Sequence, residues 1–127
     1  MRPEQPEPRW RLAVGTPYSV ETTLQGKAHL EAHGSRVVRV DNLKGVANIY
    51  EETAARVYHL VRLVDAEDAE AVFLVGTGMP TITVLAALEQ DLGKPVVSGN
   101  AAMVWHPMRE AGLREPMTGY GRLLTLV

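Results

Sequence analysis

The sequence contains no cysteine, and that absence removes disulfides, thiolate metal sites and thiol nucleophiles from the chemistry open to it. Long apolar runs are missing too. Nothing approaches the roughly 18 to 20 consecutive apolar residues of a membrane-spanning helix, and the amino terminus lacks the apolar stretch of a secretion signal. Positive charge is not concentrated either: 13 Lys and Arg stand against 15 Asp and Glu, for a formal net charge of −2. No basic run is dense enough to neutralise phosphates along a nucleic acid. Neither nucleic acid nor membrane is expected as a partner, and a cytoplasmic, reducing compartment fits a chain without thiols.

What the chain does have is material for a core. At 127 residues and 46% hydrophobic, it suits one domain that needs no metal or disulfide staple. The first nine residues, "MRPEQPEPR", carry three prolines and little that is apolar; an extended or disordered leader is expected over 1–9, with a single α/β domain over 10–127.

Four short β-branched runs alternate with helical patterns, the arrangement of βαβ units around a parallel sheet. The first run, "RLAVGT", is followed by Ser19 as helix N-cap and Gly34 as terminator. After the second run, "RVVRV", Asn48 and Glu51 suggest a capping-box start to a helix bearing Ile49, Val57, Leu60, Val61 and Val64 on one face. The third run, "AVFLVG", is continuously apolar, as a strand buried on both faces should be. Pro80 is expected in the first turn of the next helix, whose stripe is Ile82, Leu85, Leu88 and Leu92 before Gly93 and Pro95 end it. The fourth strand is "PVVSGN", and the helix after it should kink or stop at Pro107. The apolar end, "GYGRLLTLV", should pack as an extended segment. Right-handed crossovers give a three-layer, four-stranded parallel sheet of order 2-1-3-4, flavodoxin-like.

That order puts the loop after strand one, Thr16, Pro17, Tyr18 and Ser19, beside the loop after strand three, Gly76, Thr77, Gly78, Met79, Pro80 and Thr81. Ligands bind where the connections of an open α/β sheet diverge in this way. The glycines allow close backbone approach and a helix start favours anions, so a carboxylate or phosphate is one reading of the second loop; a tight turn with glycines for packing is the other. The loop lacks the third glycine of the dinucleotide fingerprint and the Gly-Lys-Ser/Thr of a P-loop. Tyr18 could donate a hydrogen bond or a proton, or simply pack on the rim. Ser98 and Asn100 are either pocket donors or N-cap groups. The "HLEAH" containing His29 and His33 lacks the zincin glutamate placement, so no metal or other cofactor is expected. His106 is either an acid–base group or a helix-surface residue.

From "RLAVGTPYS" through "DAEAVFLVGTGMPTITVLAALEQDLGKPVVSGNAAMVWH" to "GYGRLL", the chain resembles the C-terminal half of the Asp/Glu racemase superfamily, in the branch of maleate cis-trans isomerases and arylmalonate decarboxylases. The resemblance implies a half-domain, because members carry two such halves that clasp the substrate carboxylates between them. It aligns Gly76 with the catalytic cysteine of this half, Tyr18 with a donor to a substrate carboxylate, the Gly76 to Met79 backbone with part of the anion pocket, and Thr23 with a common asparagine. It therefore implies a domain that binds a small carboxylate at the strand-three loop. If active, such a domain would be an isomerase, racemase or decarboxylase working without a thiol, with Tyr18 as its candidate catalytic residue. The alternative is a non-catalytic structural or interaction half-domain. In either case the expected partner is a second copy in a homodimer or another half-domain. Gly76→Cys is expected to restore a thiol to the loop.

Overall fold

The computed structural model describes residues 10–126; the leader and Val127, and the expectations placed on them, lie outside the described residues. The elements run β1 (Trp10–Thr16), α1 (Val20–Ala32), β2 (Ser35–Asn42), a 3-10 turn (Ile49–Glu51), α2 (Ala54–Val64), β3 (Ala71–Leu74), a second 3-10 turn (Ile82–Val84), α3 (Leu85–Leu92), β4 (Val96–Ser98), α4 (Gly99–Glu110) and a third 3-10 turn (Leu123–Thr125). The four strands form one parallel sheet of order β2-β1-β3-β4, the order the alternation of patterns implies.

One sheet face is fully covered. Ala13, Val72, Leu74 and Val96 are buried there with Val57, Leu60, Val61 and Val64 of α2 and Leu85 and Leu88 of α3. The helical spacing of those α2 residues makes one continuous stripe. Gly15 lets the stripe close onto the sheet, since a Cβ at that position would stand 3.0 Å from the Leu60 side chain. On the other face Phe73 pairs in register with Val14 and Val97, and Leu12 with Ala71; Leu12, Phe73 and Val97 are only half-buried.

Several boundaries depart from the sequence pattern. Asn48 does cap a helical turn, accepting from the Tyr50 N–H at 3.0 Å, but that turn is the 3-10 piece alone. Glu52 and Thr53 return to extended backbone, and the Thr53 hydroxyl caps α2 by accepting from the Arg56 N–H at 3.2 Å. Two competent caps five residues apart divide what reads as one helix. Pro80 precedes the helical region: the 3-10 turn opens at Ile82 and the α-helix proper at Leu85. α4 runs through Pro107 to Glu110. The proline falls in the last turn, beside exposed His106 and with the exposed Met103 four residues before it. The lost bond therefore lies on a solvent-facing turn near the helix end, where the usual cost of interior proline is reduced. The carboxy-terminal segment packs as expected, but through a 3-10 turn that buries Leu124, with the Met117 N–H donating to the Leu124 carbonyl at 2.7 Å.

Candidate functional site

The carboxyl ends of β1, β3 and β4 lie side by side along one edge of the sheet, and the loops that follow β1 and β3 meet there. On the β1 side Thr16 is buried, and its hydroxyl shares a 2.6 Å hydrogen bond with that of Thr23 on α1 while accepting from the Tyr18 N–H at 3.2 Å. Thr23 is thus a strut between strand and helix. Ser19 is the N-cap of α1, accepting from the Thr22 N–H at 3.3 Å. Asn42, at the end of the neighbouring β2, donates through Nδ2 to the Tyr18 carbonyl at 2.6 Å. Two side chains, Thr16 and Asn42, therefore fix the backbone of Tyr18, and the residue is 38% exposed.

On the β3 side the chain reverses in a turn closed by the Met79 N–H donating to the Gly76 carbonyl at 3.2 Å. Gly76 has φ +109°, in the region that favours glycine. An ideal Cβ there would stand 2.7 Å from Cγ and Cδ of Pro17 and 3.6 Å from the Tyr18 hydroxyl oxygen. Among the described residues the Thr77 and Gly78 amides, at the two central positions of the turn, have no hydrogen-bond partner. Gly78 lies under Ile49, whose side chain would be 3.2 Å from an added Cβ. Ile49 packs against the core, as its place in the apolar pattern suggests, and its side chain also covers Gly78 of the loop.

The remaining sequence candidates are supports. The Met79 side chain is buried in the core. Asn100 donates through Nδ2 to the Met79 carbonyl and to the buried Thr81 hydroxyl, both at 3.0 Å, and so straps the loop to α4. Ser98 is buried and caps α4, accepting from the Ala101 N–H at 3.1 Å. The exposed groups are Tyr18 and Thr77, with Ser19 at the edge. Sequence reasoning missed Asn42 and the bracing role of Thr23. The strand order itself points to Asn42, since β2 ends beside β1.

Neither loop carries a charged side chain, so backbone amides and hydroxyls are its only donors. Organised charges tie the segment after β2 to the start of α2. Arg56 binds Glu52 at 2.8 Å and the Lys44 carbonyl at 2.5 Å, and its hydrogen bond to Glu52 keeps that carboxyl below its ordinary range. The hydrogen bond from Lys44 likewise lowers Asp41. The histidines lie elsewhere: the rings of His29 and His33 stack 4.3 Å apart on α1, and exposed His106 sits 3.6 Å from Glu110 on α4. Among the described residues no group of three or more potential metal ligands gathers, and no helix is long and apolar enough to cross a membrane.

The family model for arylmalonate decarboxylase matches residues 7–124. Arylmalonate decarboxylase of Bordetella bronchiseptica is 30% identical over 120 residues, covering 89% of this chain and 49% of that protein. Among solved structures, a cysteine-to-serine mutant of Nocardia farcinica maleate cis-trans isomerase, with a covalently bound succinylcysteine intermediate, gives a TM-score of 0.85. Its identity is 27%, over 91% of this chain and 49% of that one. A glycine-to-cysteine mutant of arylmalonate decarboxylase in a sulfate-associated form gives 0.83 at 26% identity, over 91% of this chain and 52% of that one. The chain spans about half the length of the relatives it matches.

Proposed function

Because this chain belongs to the arylmalonate decarboxylase family, we propose that its strand-end crevice binds a small carboxylate, and that Gly76 stands where relatives carry the catalytic cysteine. The observation that carries the reading is the pairing of the Tyr18 hydroxyl with the Gly76 turn, whose Thr77 and Gly78 amides are free among the described residues. A carboxylate placed there gains the phenol on one side and the turn amides on the other, a donor set that needs no cation. One relative carries a succinyl adduct and another an associated sulfate; both are small groups with anionic oxygens.

With glycine at this position the loop offers no nucleophile. Threonine hydroxyls need an adjacent base to attack carbon, and no histidine lies in either loop. The thiol route of racemases and isomerases is therefore closed to this chain, and the Tyr18 hydroxyl is the proposed donor of the two loops. The crevice is open on the side of Tyr18 and the start of α1, where Val20 is 60% and Leu24 51% exposed. A second half-domain, from another copy or another chain, is the partner proposed to cover it.

Thermal denaturation with malonate, maleate, succinate and sulfate tests the binding. At ten times the dissociation constant, mass action predicts stabilisation of about 1.4 kcal/mol, reduced in Tyr18→Phe. No stabilisation at tens of millimolar, or equal stabilisation in Tyr18→Phe, would show the turn to be structural. Light scattering at high micromolar concentration, alone and with a candidate second half, tests the partner.

A further inference from the structure

Two histidines stand four residues apart at the end of α1, and the sheet-end loops use neither. The ring centres of His29 and His33 are 4.3 Å apart, with their planes inclined by 39°. The way the helix ends brings them together. The His33 backbone N–H turns to the Leu30 carbonyl at 3.2 Å, and the His33 ring takes up the His29 carbonyl instead, Nδ1 to oxygen at 2.8 Å. A carbonyl only accepts, so Nδ1 carries the proton, and the neutral ring keeps a free lone pair on Nε2. A backbone carbonyl on the far nitrogen is also the contact that fixes the tautomer of metal-binding histidines.

Both residues are exposed. Among the described residues the histidine ion pair is that of His106 with Glu110, so no carboxylate holds either ring of α1. Two imidazole nitrogens bound to one ion at about 2.0–2.1 Å, at an angle of about 90–110°, set their ring centres roughly 4.5–5 Å apart. The pair reaches that separation when the rings part by about half an ångström. Side chains four apart on a helix share one face, and the zincin glutamate missing here is a general base, not a ligand. We propose that His29 and His33 chelate one divalent transition ion of the class that imidazole suits, such as zinc or nickel, with its other positions open to water. Two protein ligands are fewer than the four of a structural zinc site, so the ion exchanges. Its effect falls on a weakly held helix: Gly26 interrupts α1, Thr23 is its one buried residue, and it starts from Ser19 beside Tyr18. An ion bound across the last turn clips that helix at its free end. This site is separate from the proposed carboxylate site and does not depend on it.

Zn(II) and Ni(II) are the probes, titrated by calorimetry into the full chain, free of any affinity tag, at about pH 7.5 so that protons do not compete for the nitrogens. The expected result is one ion per chain, with a higher thermal midpoint and slower amide exchange at residues 29–33 when the ion is present. His29→Gln and His33→Gln should each weaken both ions about tenfold or more, because the second imidazole acts at the effective concentration that the shared helix provides. His106→Gln on α4 should leave the affinity unchanged. His33→Gln combined with Glu31→His keeps the number of histidines but sets the two rings two residues apart, where they do not face each other; its affinity should stay at the level of His33→Gln. All these positions are exposed, and circular dichroism checks that each variant keeps its unfolding transition. Three results would each overturn the proposal: no binding of either ion up to millimolar concentration; wild-type affinity in either single variant or in the Glu31→His combination; or binding that accompanies dimer formation in light scattering, which would make the ion a bridge between copies.

Discussion

The ring of Pro17 occupies the space that a side chain on Gly76 would need, its Cγ and Cδ standing 2.7 Å from the ideal Cβ position. Real Cβ atoms do not tolerate such an approach, and the φ of +109° at Gly76 adds backbone strain for any residue with a side chain. Gly76→Cys alone is therefore not the simple restoration the sequence suggests: the thiol must first displace Pro17. The expected loss for Gly76→Ala is about 2–4 kcal/mol, the sum of positive-φ strain and overpacking. Pro17→Ala removes the overlapping ring atoms, so in the double mutant about half of that loss should return. Urea unfolding of the four proteins measures the coupling, and strictly additive effects would show that the ring gives way freely.

Asn100 holds the β3 loop from α4 through two hydrogen bonds from one amide group, to the Met79 carbonyl and the Thr81 hydroxyl. Asn100→Ala leaves both acceptors without this donor, and the hydroxyl is buried. A cost of about 1–3 kcal/mol follows. Asn100→Asp replaces the donor by an acceptor facing two oxygens and should cost at least as much at neutral pH. Hydrogen exchange should localise the loss of protection to residues 76–84 in both variants. Uniform loss across the sheet would mean that the strap is not local.

Much of the frame behind these predictions is legible in the sequence, and the reasons are physical. The order 2-1-3-4 follows from alternation and handedness, which depend on the whole pattern and not on one residue. The α2 stripe from Val57 to Val64 and the Gly93 terminus, at φ +69°, follow from periodicity and from the glycine preference of that backbone region. The break at Thr53 is not legible, because Asn48 and Thr53 are equally good caps and only tertiary packing shows that both are used. Nor is the role of Asn100. Its partners lie some 20 residues away across the sheet end, and the residue type suits a cap as well as a strap. The contact between Pro17 and Gly76 depends on one dihedral angle and could not be seen without coordinates.

Glu52 gives the domain a defined acid sensitivity. Its carboxyl is held below the ordinary range first by the hydrogen bond from Arg56, opposed by burial and aided by the Arg56 charge. A carboxyl whose folded pKa is depressed adds stability that is complete above its unfolded pKa of about 4.3 and is lost as pH falls through the folded value. The urea midpoint of the wild type should therefore fall further than that of Glu52→Gln between pH 6 and pH 3. The two curves should converge at the acid end. Parallel curves would show that the pair with Arg56 is not formed in solution.

Glu89 is the clamp between the core and the carboxy-terminal segment. It lies on the buried face of α3, four residues after Leu85 and three before Leu92, and is 7% exposed; each carboxylate oxygen accepts a backbone N–H at 2.9 Å, Oε2 from Val96 at the start of β4 and Oε1 from Arg122. Burying a charge is costly unless its oxygens are satisfied, and here two otherwise unpaired amides supply that satisfaction. Gly121, at φ +94°, brings the segment close, with its ideal Cβ position 3.5 Å from Oε2. Glu89→Ala leaves both amides without this acceptor and should cost about 2–4 kcal/mol. Glu89→Gln keeps one acceptor but turns an NH2 group toward the other amide, so it should selectively free the carboxy-terminal partner, which has fewer contacts around it than the sheet. Hydrogen exchange in Glu89→Gln should then rise at residues 117–126 while Val72 and Leu74 stay protected. Equal loss at Val96 and Arg122 would show that the segment and the sheet edge unfold together, and that the carboxylate is a core element and not a clamp.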